Sequence, residues 1–462
     1  MIMKQTSKNI SKSSFGLTLA LFLSMAVIHD AGAVEGLAQG LTPIGAEQSG
    51  NSAGTIPAWT GGLTAPPEGY VKGKAHIDPF ASDAPIASIT SKNFRKYAEN
   101  LTEFDKAMFE RHAETYKLNV YPTRRSCAFP QFVYDALARN AKTASLTNDG
   151  NGIAGATISS PFPIPKSGIE VYWNHNLHYK GFRVTQKVTG GVVTSDGTFV
   201  RVVRDDRMLG YYYDPELQSV ENINNDVEME WLAVWSAPPR MSGSGFSMSN
   251  TIDQVKKPRN GYMFRPDNRK VMAAPANSVS YDAPIMSGFG TRNSDDMFIG
   301  NGAPDRYNWK LLGKKEIYIP YNSYKTSAES TTLEDIIKPG HLNPDYLRYE
   351  LHRVWVVEAT LKKEQFNHTY HRRITYYDED SWIAVGADLY DENDALVAGQ
   401  VGFIKNYYEV PACRQDFDAI YQFSTDRYNL DNMKIEFGPT NYDADIRERD
   451  FGASSLRRAI AR

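Results

Sequence analysis

The sequence predicts an α+β protein dominated by one large antiparallel sheet that curls along its length. Three observations predict it. Residues 349–408 read as four consecutive strands joined by tight turns. Further strand patterns between 168 and 321 bring the total to at least ten. Residues 91–146 carry amphipathic helical spacing instead. Short turns force antiparallel neighbours, because a parallel return needs a long crossover. A sheet of this size must curl to hide its edges. The amphipathic helices need an apolar partner, and a sheet face supplies one.

The strands of the clearest stretch fall at 353–361, 372–377, 381–390 and 395–404. In the third, Ile383, Val385, Ala387 and Leu389 share one face, and Trp382, Asp388 and Tyr390 share the other. β-branched and aromatic residues dominate the strands. The breaks, Asp378-Glu379-Asp380 and 391–394, are Asp- and Asn-rich. At least one face is wholly apolar, and its cover is the functional question.

The chain begins with the pattern of a secretory leader. Lys4, Lys8 and Lys12 precede an apolar run over 15–28, and Ala31-Gly32-Ala33 forms a small-x-small cleavage site, so cleavage is expected after Ala33. The apolar run is short for a membrane span. Residues 34–90 are rich in Gly and Pro and read as an extended arm laid over the body. From there to 462 a single α+β domain is expected. Its helices occupy 91–146: Thr90 or Ser91 caps a helix with Phe94, Tyr97, Ala98 and Leu101, and Thr102 caps a second with Phe104, Ala107 and Met108. Pro122 and Pro130 interrupt, and helical spacing resumes over 131–146. Pro161-Phe162-Pro163-Ile164-Pro165 reads as a stiff strap. The sheet is expected over 168–410. It opens with a strand over 169–175, and continues with hairpins at 190–197 and 261–271, a strand at 231–235 and two short strands across 309–321. A loose tail closes the chain over 411–462.

Composition narrows the function. The formal net charge is −3, and removing a leader with three Lys and one Asp leaves the remainder more acidic still. That excludes a general nucleic-acid footprint. The 27 Tyr suit surfaces with one apolar and one wet side. Cys127 and Cys413 are the only cysteines, and in an exported protein such a pair bridges; two Cys without a nearby His pair make no zinc site. His352, His368 and His371 with Asp378, Glu379 and Asp380 come closest to a catalytic or metal cluster. A spacing of three sets His368 and His371 on opposite faces of a strand, poor geometry for a metal. Asp295-Asp296 beside Gly300-Asn301-Gly302 lacks a calcium-loop spacing. No nucleophile elbow, P-loop or dinucleotide fingerprint occurs. No catalytic residue, metal or cofactor is therefore expected.

Several phrases carry a family resemblance. They include Thr42-Pro43-Ile44-Gly45-Ala46-Glu47, 54–62 (Gly-Thr-Ile-Pro-Ala-Trp-Thr-Gly-Gly), Tyr121-Pro122-Thr123-Arg124-Arg125, Trp173-Asn174-His175, 301–309, 340–344, 348–355 and 377–382. Together they resemble the proteobacterial exported family known as domain of unknown function thirteen twenty-nine. The resemblance implies a fold similar to the periplasmic lipoprotein-localisation carriers: an incomplete β-barrel with helices packed over its open concave side. It also implies a periplasmic location, with a resistance-nodulation-division-type transporter and an outer-membrane protein as partners. The expected function is a carrier or accessory protein for a hydrophobic molecule or lipid. Trp355, Tyr376, Trp382 and Tyr390 are the candidate lining residues, and the helices of 91–146 the lid. Two alternatives stand beside it: an envelope adaptor with a filled barrel, and a hydrolase whose His352 and Asp380 converge in a cleft.

Overall fold

The computed structural model describes residues 37–278 and 280–461; the expected leader lies outside them. In chain order the strands are β1 (Ala87–Thr90), β2 (Lys117–Val120), β3 (Ser145–Thr147), β4 (Gly152–Ala154), β5 (Arg183–Val193), β6 (Phe199–Leu209), β7 (Val227–Ala237), β8 (Gly245–Thr251), β9 (Asn260–Arg265), β10 (Lys270–Ala273), β11 (Tyr307–Pro320), β12 (Tyr349–Leu361), β13 (Arg372–Asp378), β14 (Ala384–Tyr390), β15 (Leu396–Tyr407), β16 (Ala412–Gln422) and β17 (Arg427–Met433). The helices are α1 (Glu103–Arg111), α2 (Gln131–Thr143), α3 (Gly168–Asn176), α4 (Leu333–Ile336) and α5 (Gly452–Ile460). All strands but the β3–β4 pair join one 15-stranded sheet. Its order is β1-β2-β12-β13-β14-β15-β16-β17-β5-β6-β7-β8-β9-β10, with β11 on the other side of β12. All its pairings are antiparallel except a single parallel contact of Val120 with Tyr349. Among the described residues neither β1 nor β11 pairs with β10, so the sheet is not closed.

The period-2 reading of the central meander holds over Ala384–Tyr390, but Trp382 and Ile383, expected in the same strand, precede it, with Trp382 at φ 62° and stacked on Trp355. Thr375, Ala387, Gln400, Ile420, Asn429 and Val192 lie side by side across six strands on what we term the inner face. The adjacent row, Tyr376, Gly386, Val401, Ala419, Leu430 and Gly191, lies on the outer face. Helix α1 packs on the outer face. Thr102 and Asp105 close its first turn as a capping box. Phe104 lies on Gly399, where a Cβ would come within 2.1 Å of the ring. Helix α5 covers the outer face farther along, setting Leu456 and Ile460 against Gly245. The inner face is met by α3, whose Gly168 approaches the Lys310 backbone and Val357, and by the loop that carries Ile299 onto Gly402.

Four local expectations are corrected. Residues 169–175 form helix α3, not a strand. Val171, Tyr172, Trp173, Asn174 and His175 are all buried, so no polar stripe marks a helical period. The two strands expected across 309–321 are one, β11, with a bulge that Gly313 accommodates at φ 102°. Thr90 ends β1, and a 3-10 turn, Phe94–Asn100, replaces the helix expected after it. The tail expected from 411 contains β16 and β17, central strands of the sheet. Their charges hid them: Asp416, Asp418, Asp431 and Lys434 are buried, with Asp418 paired to Arg292 at 2.6 Å and Asp416 to Lys405 at 3.0 Å.

Candidate functional site

Strands β5 to β9 differ from the rest of the sheet. Helix α5 covers the outer face of β7 to β9, but the inner face of β5 to β9 borders a cavity of about 660 Å³. The alternation of the strands builds its floor. Gln186 stands beside Asp206, Met208 beside Trp231, Trp231 beside Met248, and Phe246 beside Met263. The roof comes from residues 275–278 and 283–301, loops with short 3-10 turns that contribute Ile285, Met286, Met297 and Phe298. The residues following α3, His178 to Lys180, close one end together with Arg414 of β16.

The apolar part is aromatic and methionine-rich. Trp231 and Phe246 lie 6.2 Å apart between ring centres. Six methionines line the space, at 208, 229, 248, 263, 286 and 297. Flexible thioether side chains adapt to guests of varied shape. Met208, Met229, Met248, Met263 and Met297 are half-buried, and Met286 is 46% exposed, so these side chains border open space instead of filling it.

Most of the polar part lies toward β5, β6 and β16, and Arg259 and Arg265 stand at the two ends of β9. Arg204 donates through Nε to Asp206 at 2.9 Å and through Nη1 to Asp431 at 2.6 Å. Burial works against the Arg204 charge, but these two carboxylates outweigh it and raise its pKa. Burial raises the Asp206 pKa, with Arg204 opposing. Arg414 donates through Nη2 to Gln186 Oε1 at 3.1 Å. Burial depresses the Lys180 ammonium, and Glu228 opposes it from 3.6 Å. Burial also drives His178 well below the usual histidine range, aided by Lys180, and keeps that ring neutral. Arg259 donates to Ser280 O and Ser294 Oγ, and burial lowers its pKa.

None of the four aromatic residues expected to line a site borders this cavity. Trp382 is fully buried, donates Nε1 to Ile44 O at 3.0 Å and stacks on Trp355. Tyr376 donates to Asp388 at 2.8 Å, the carboxylate that also receives the Phe104 N–H of α1. Tyr390 lies under the Arg372 guanidinium at 3.7 Å. These contacts fasten the arm and α1 to the sheet. Nor is α1 a lid, since it covers the opposite face. Cys127 and Cys413 form a disulfide with Cα atoms 5.3 Å apart.

The histidine and carboxylate cluster divides in two. His352, Asp378 and Asp380 gather with potential ligand atoms within 4.8 Å of one another. No cleft reaches them, for all three are buried and Tyr321 stacks on His352 at 3.9 Å. Arg125 takes both Asp380 oxygens, and Glu379 is held by Arg353 and Lys314. This is an internal ion network. His368 sits elsewhere, on Asp295 at 2.9 Å, and Arg373 reaches both Asp295 and Asp296 at 2.9 and 3.2 Å. A guanidinium thus stands where a cation would have to sit between those two carboxylates. His371 is half-buried outside both groups.

Sequence reasoning missed the cavity residues. The available signal was the period-2 spacing of Met229, Trp231 and Trp235 in β7 and of Phe246 and Met248 in β8, which sets large apolar groups on one face of each strand; in β8 the other face carries Ser247 and Ser249.

Comparison with known proteins places the chain. It is 38% identical over 460 residues, 98% of its own length and 99% of the relative's, to an uncharacterized protein of Pseudomonas aeruginosa. Among solved structures it is similar to an outer membrane lipoprotein-sorting protein domain from Vibrio parahaemolyticus (13% identity, TM-score 0.39, 60% of this chain and 93% of that one). It is also similar to a DUF1329 family protein from Desulfovibrio piger (14%, 0.40, 60% and 92%) and to a LolA superfamily protein from Nitrosomonas europaea (11%, 0.35, 63% and 99%). The family model described as protein of unknown function (DUF1329) matches residues 88–457, and the chain belongs to that family.

Proposed function

We propose that the protein is a periplasmic carrier or accessory protein that binds a hydrophobic, lipid-like molecule in the cavity bordered by β5–β9. One observation carries the reading: about 660 Å³ of space lies against a sheet face of half-buried Met, Trp and Phe side chains. That volume is in the range of small-molecule sites. Apolar burial contributes about 25 cal/mol per Å², so an acyl or polycyclic chain binds there without special chemistry. The space also argues against the adaptor alternative, which requires a filled interior. Export by a cleaved leader, and work alongside a resistance-nodulation-division-type transporter and an outer-membrane protein, belong to the same reading. No helix among the described residues is long and apolar enough to cross a membrane.

The test is uptake. Delipidated protein takes up a fluorescent fatty acid with one-to-one saturation, and unlabelled lipid displaces it. Absence of uptake across fatty acids, sterol-like compounds and phospholipids overturns the proposal.

A further inference from the structure

The cavity is not uniformly greasy. Its lining includes the cations Lys180, Arg204, Arg259, Arg265 and Arg414 against one carboxylate, Asp206. Arg204 consumes that carboxylate and Asp431 behind it. Arg414 has no such partner. Among the described residues no carboxylate lies within 4.0 Å of its guanidinium, its Nε is buried without a hydrogen bond, and its contacts with Gln186 Oε1 and the Tyr442 hydroxyl are to neutral oxygens. Lys180 donates one N–H to Asn176 O and meets Glu228 at 3.6 Å, and Glu228 already accepts from Tyr213 Oη at 2.7 Å and Asn250 Nδ2 at 3.0 Å. An ammonium has three donors, and a guanidinium five.

Lys180, Arg204 and Arg414 stand at one end of the cavity, whereas Arg259 and Arg265 flank β9. Arg414 reaches Gln186 of β5, whereas Trp231, Phe246, Met248 and Met263 stand on β7, β8 and β9. From β5 to β9 is four strand spacings, about 19 Å across the sheet. A guest that spans this distance has Arg414 and Lys180 at one end and Met248 and Met263 toward the other, where Arg265 is exposed.

We infer that the guest is an anionic amphiphile, its acidic head group, carboxylate or phosphate, held by Arg414 and Lys180 and its hydrocarbon tail lying along β7–β9. The inference rests on the carrier reading and refines it. A planar guanidinium grips either oxyanion with paired hydrogen bonds, and the surrounding burial strengthens them. An uncharged lipid would leave Arg414 Nε unsatisfied, and a cationic one would add to the existing charge.

The experiment uses matched ligands on the delipidated protein, read by displacement of the uncharged probe N-phenylnaphthylamine. Oleate is compared with methyl oleate, and oleoyl lysophosphatidate with oleoylglycerol. The acid of each pair is expected to displace the probe at a concentration about tenfold or more below that of its neutral partner, the worth of one charged hydrogen bond. The pair with the larger ratio identifies carboxylate or phosphate as the natural head group. R414Q is expected to erase the ratio while methyl oleate binds as before, and R414K to keep part of it. Should R414Q fold poorly, K180Q reads the same ratio from the other side. Neutral and acidic partners binding equally to the natural chain overturns the inference but leaves the carrier reading standing. A preserved ratio in both R414Q and K180Q overturns the assignment of the head-group site. Binding of neither probe nor any ligand overturns the carrier reading itself.

Discussion

The Asp380 carboxylate rests on the Arg125 guanidinium, receiving Nε at 2.8 Å and Nη2 at 2.6 Å, with both side chains 2% exposed. The same guanidinium donates to Glu47 O at 2.8 Å and Gln48 O at 3.3 Å. One arginine therefore neutralises Asp380 in the β13–β14 turn and fastens the arm to it. Replacing Arg125 with Met strands a buried carboxylate, which costs about 3–5 kcal/mol. R125M is expected to lose stability by that amount in urea denaturation and to expose residues 37–86 to protease first. A loss below about 1 kcal/mol, the worth of a surface pair, contradicts the role assigned here.

Asp378 gives a pH dependence. Burial, then Asp380, push its carboxyl up to about 7, while His352 pulls the other way. The unfolded chain releases that proton near 4, and the folded chain keeps it until about 7. Stability from this group is complete below about 4 and is lost as pH rises to about 7. D378N keeps the site neutral at every pH and is expected to flatten this limb, measured as urea midpoints from pH 5 to 8. Asp416 governs the opposite limb. Burial opposes its charge, but Lys405 and Lys434 outweigh that and hold it at about 2, so its contribution is present above pH 4 and lost as pH falls toward 2. An unchanged pH profile in D378N refutes the first assignment.

The Cys127–Cys413 bond links the segment before α2 to β16 across 286 residues of sequence. Constraining so large a loop in the unfolded chain is worth about 2–5 kcal/mol. C127A/C413A is expected to unfold at correspondingly lower urea, and the natural chain to shift by the same amount under reductant. Equal midpoints with and without reductant contradict this.

Met248 stands at the apolar end of the cavity and is half-buried, so its replacement tests binding with little risk to the core. M248D sets a charge beside the expected hydrocarbon tail. Affinity for a fluorescent fatty acid is expected to fall at least about tenfold, since an unpaired charge is expensive beside apolar groups, with the urea midpoint unchanged. Undiminished affinity places the guest elsewhere.

The architecture was legible where one strand face is polar and the other apolar. Val385, Ala387 and Leu389 announced β14 in this way, and Thr102 with Phe104, Ala107 and Met108 announced α1. It was illegible where burial removes the contrast. Helix α3 has no polar stripe, and β16 and β17 bury Asp416, Asp418 and Asp431, which read from sequence as solvated. Asp378-Glu379-Asp380 read as an ordinary surface turn, because its counter-charges Arg125 and Lys314 come from distant segments. The cavity escaped notice for a related reason. Its lining is drawn from seven separated stretches of chain, and the aromatic residues most prominent in sequence, Trp355 and Trp382, are packed against each other instead.

Fluorescence quenching by a brominated fatty acid tests the central claim most directly, because Trp231 and Trp235 border the cavity while Trp355 and Trp382 do not. Saturable quenching is expected in the natural chain, and its loss in W231F/W235F with W355F unaffected. Quenching that is absent in the natural chain, or that survives intact in W231F/W235F, contradicts a guest held against β7.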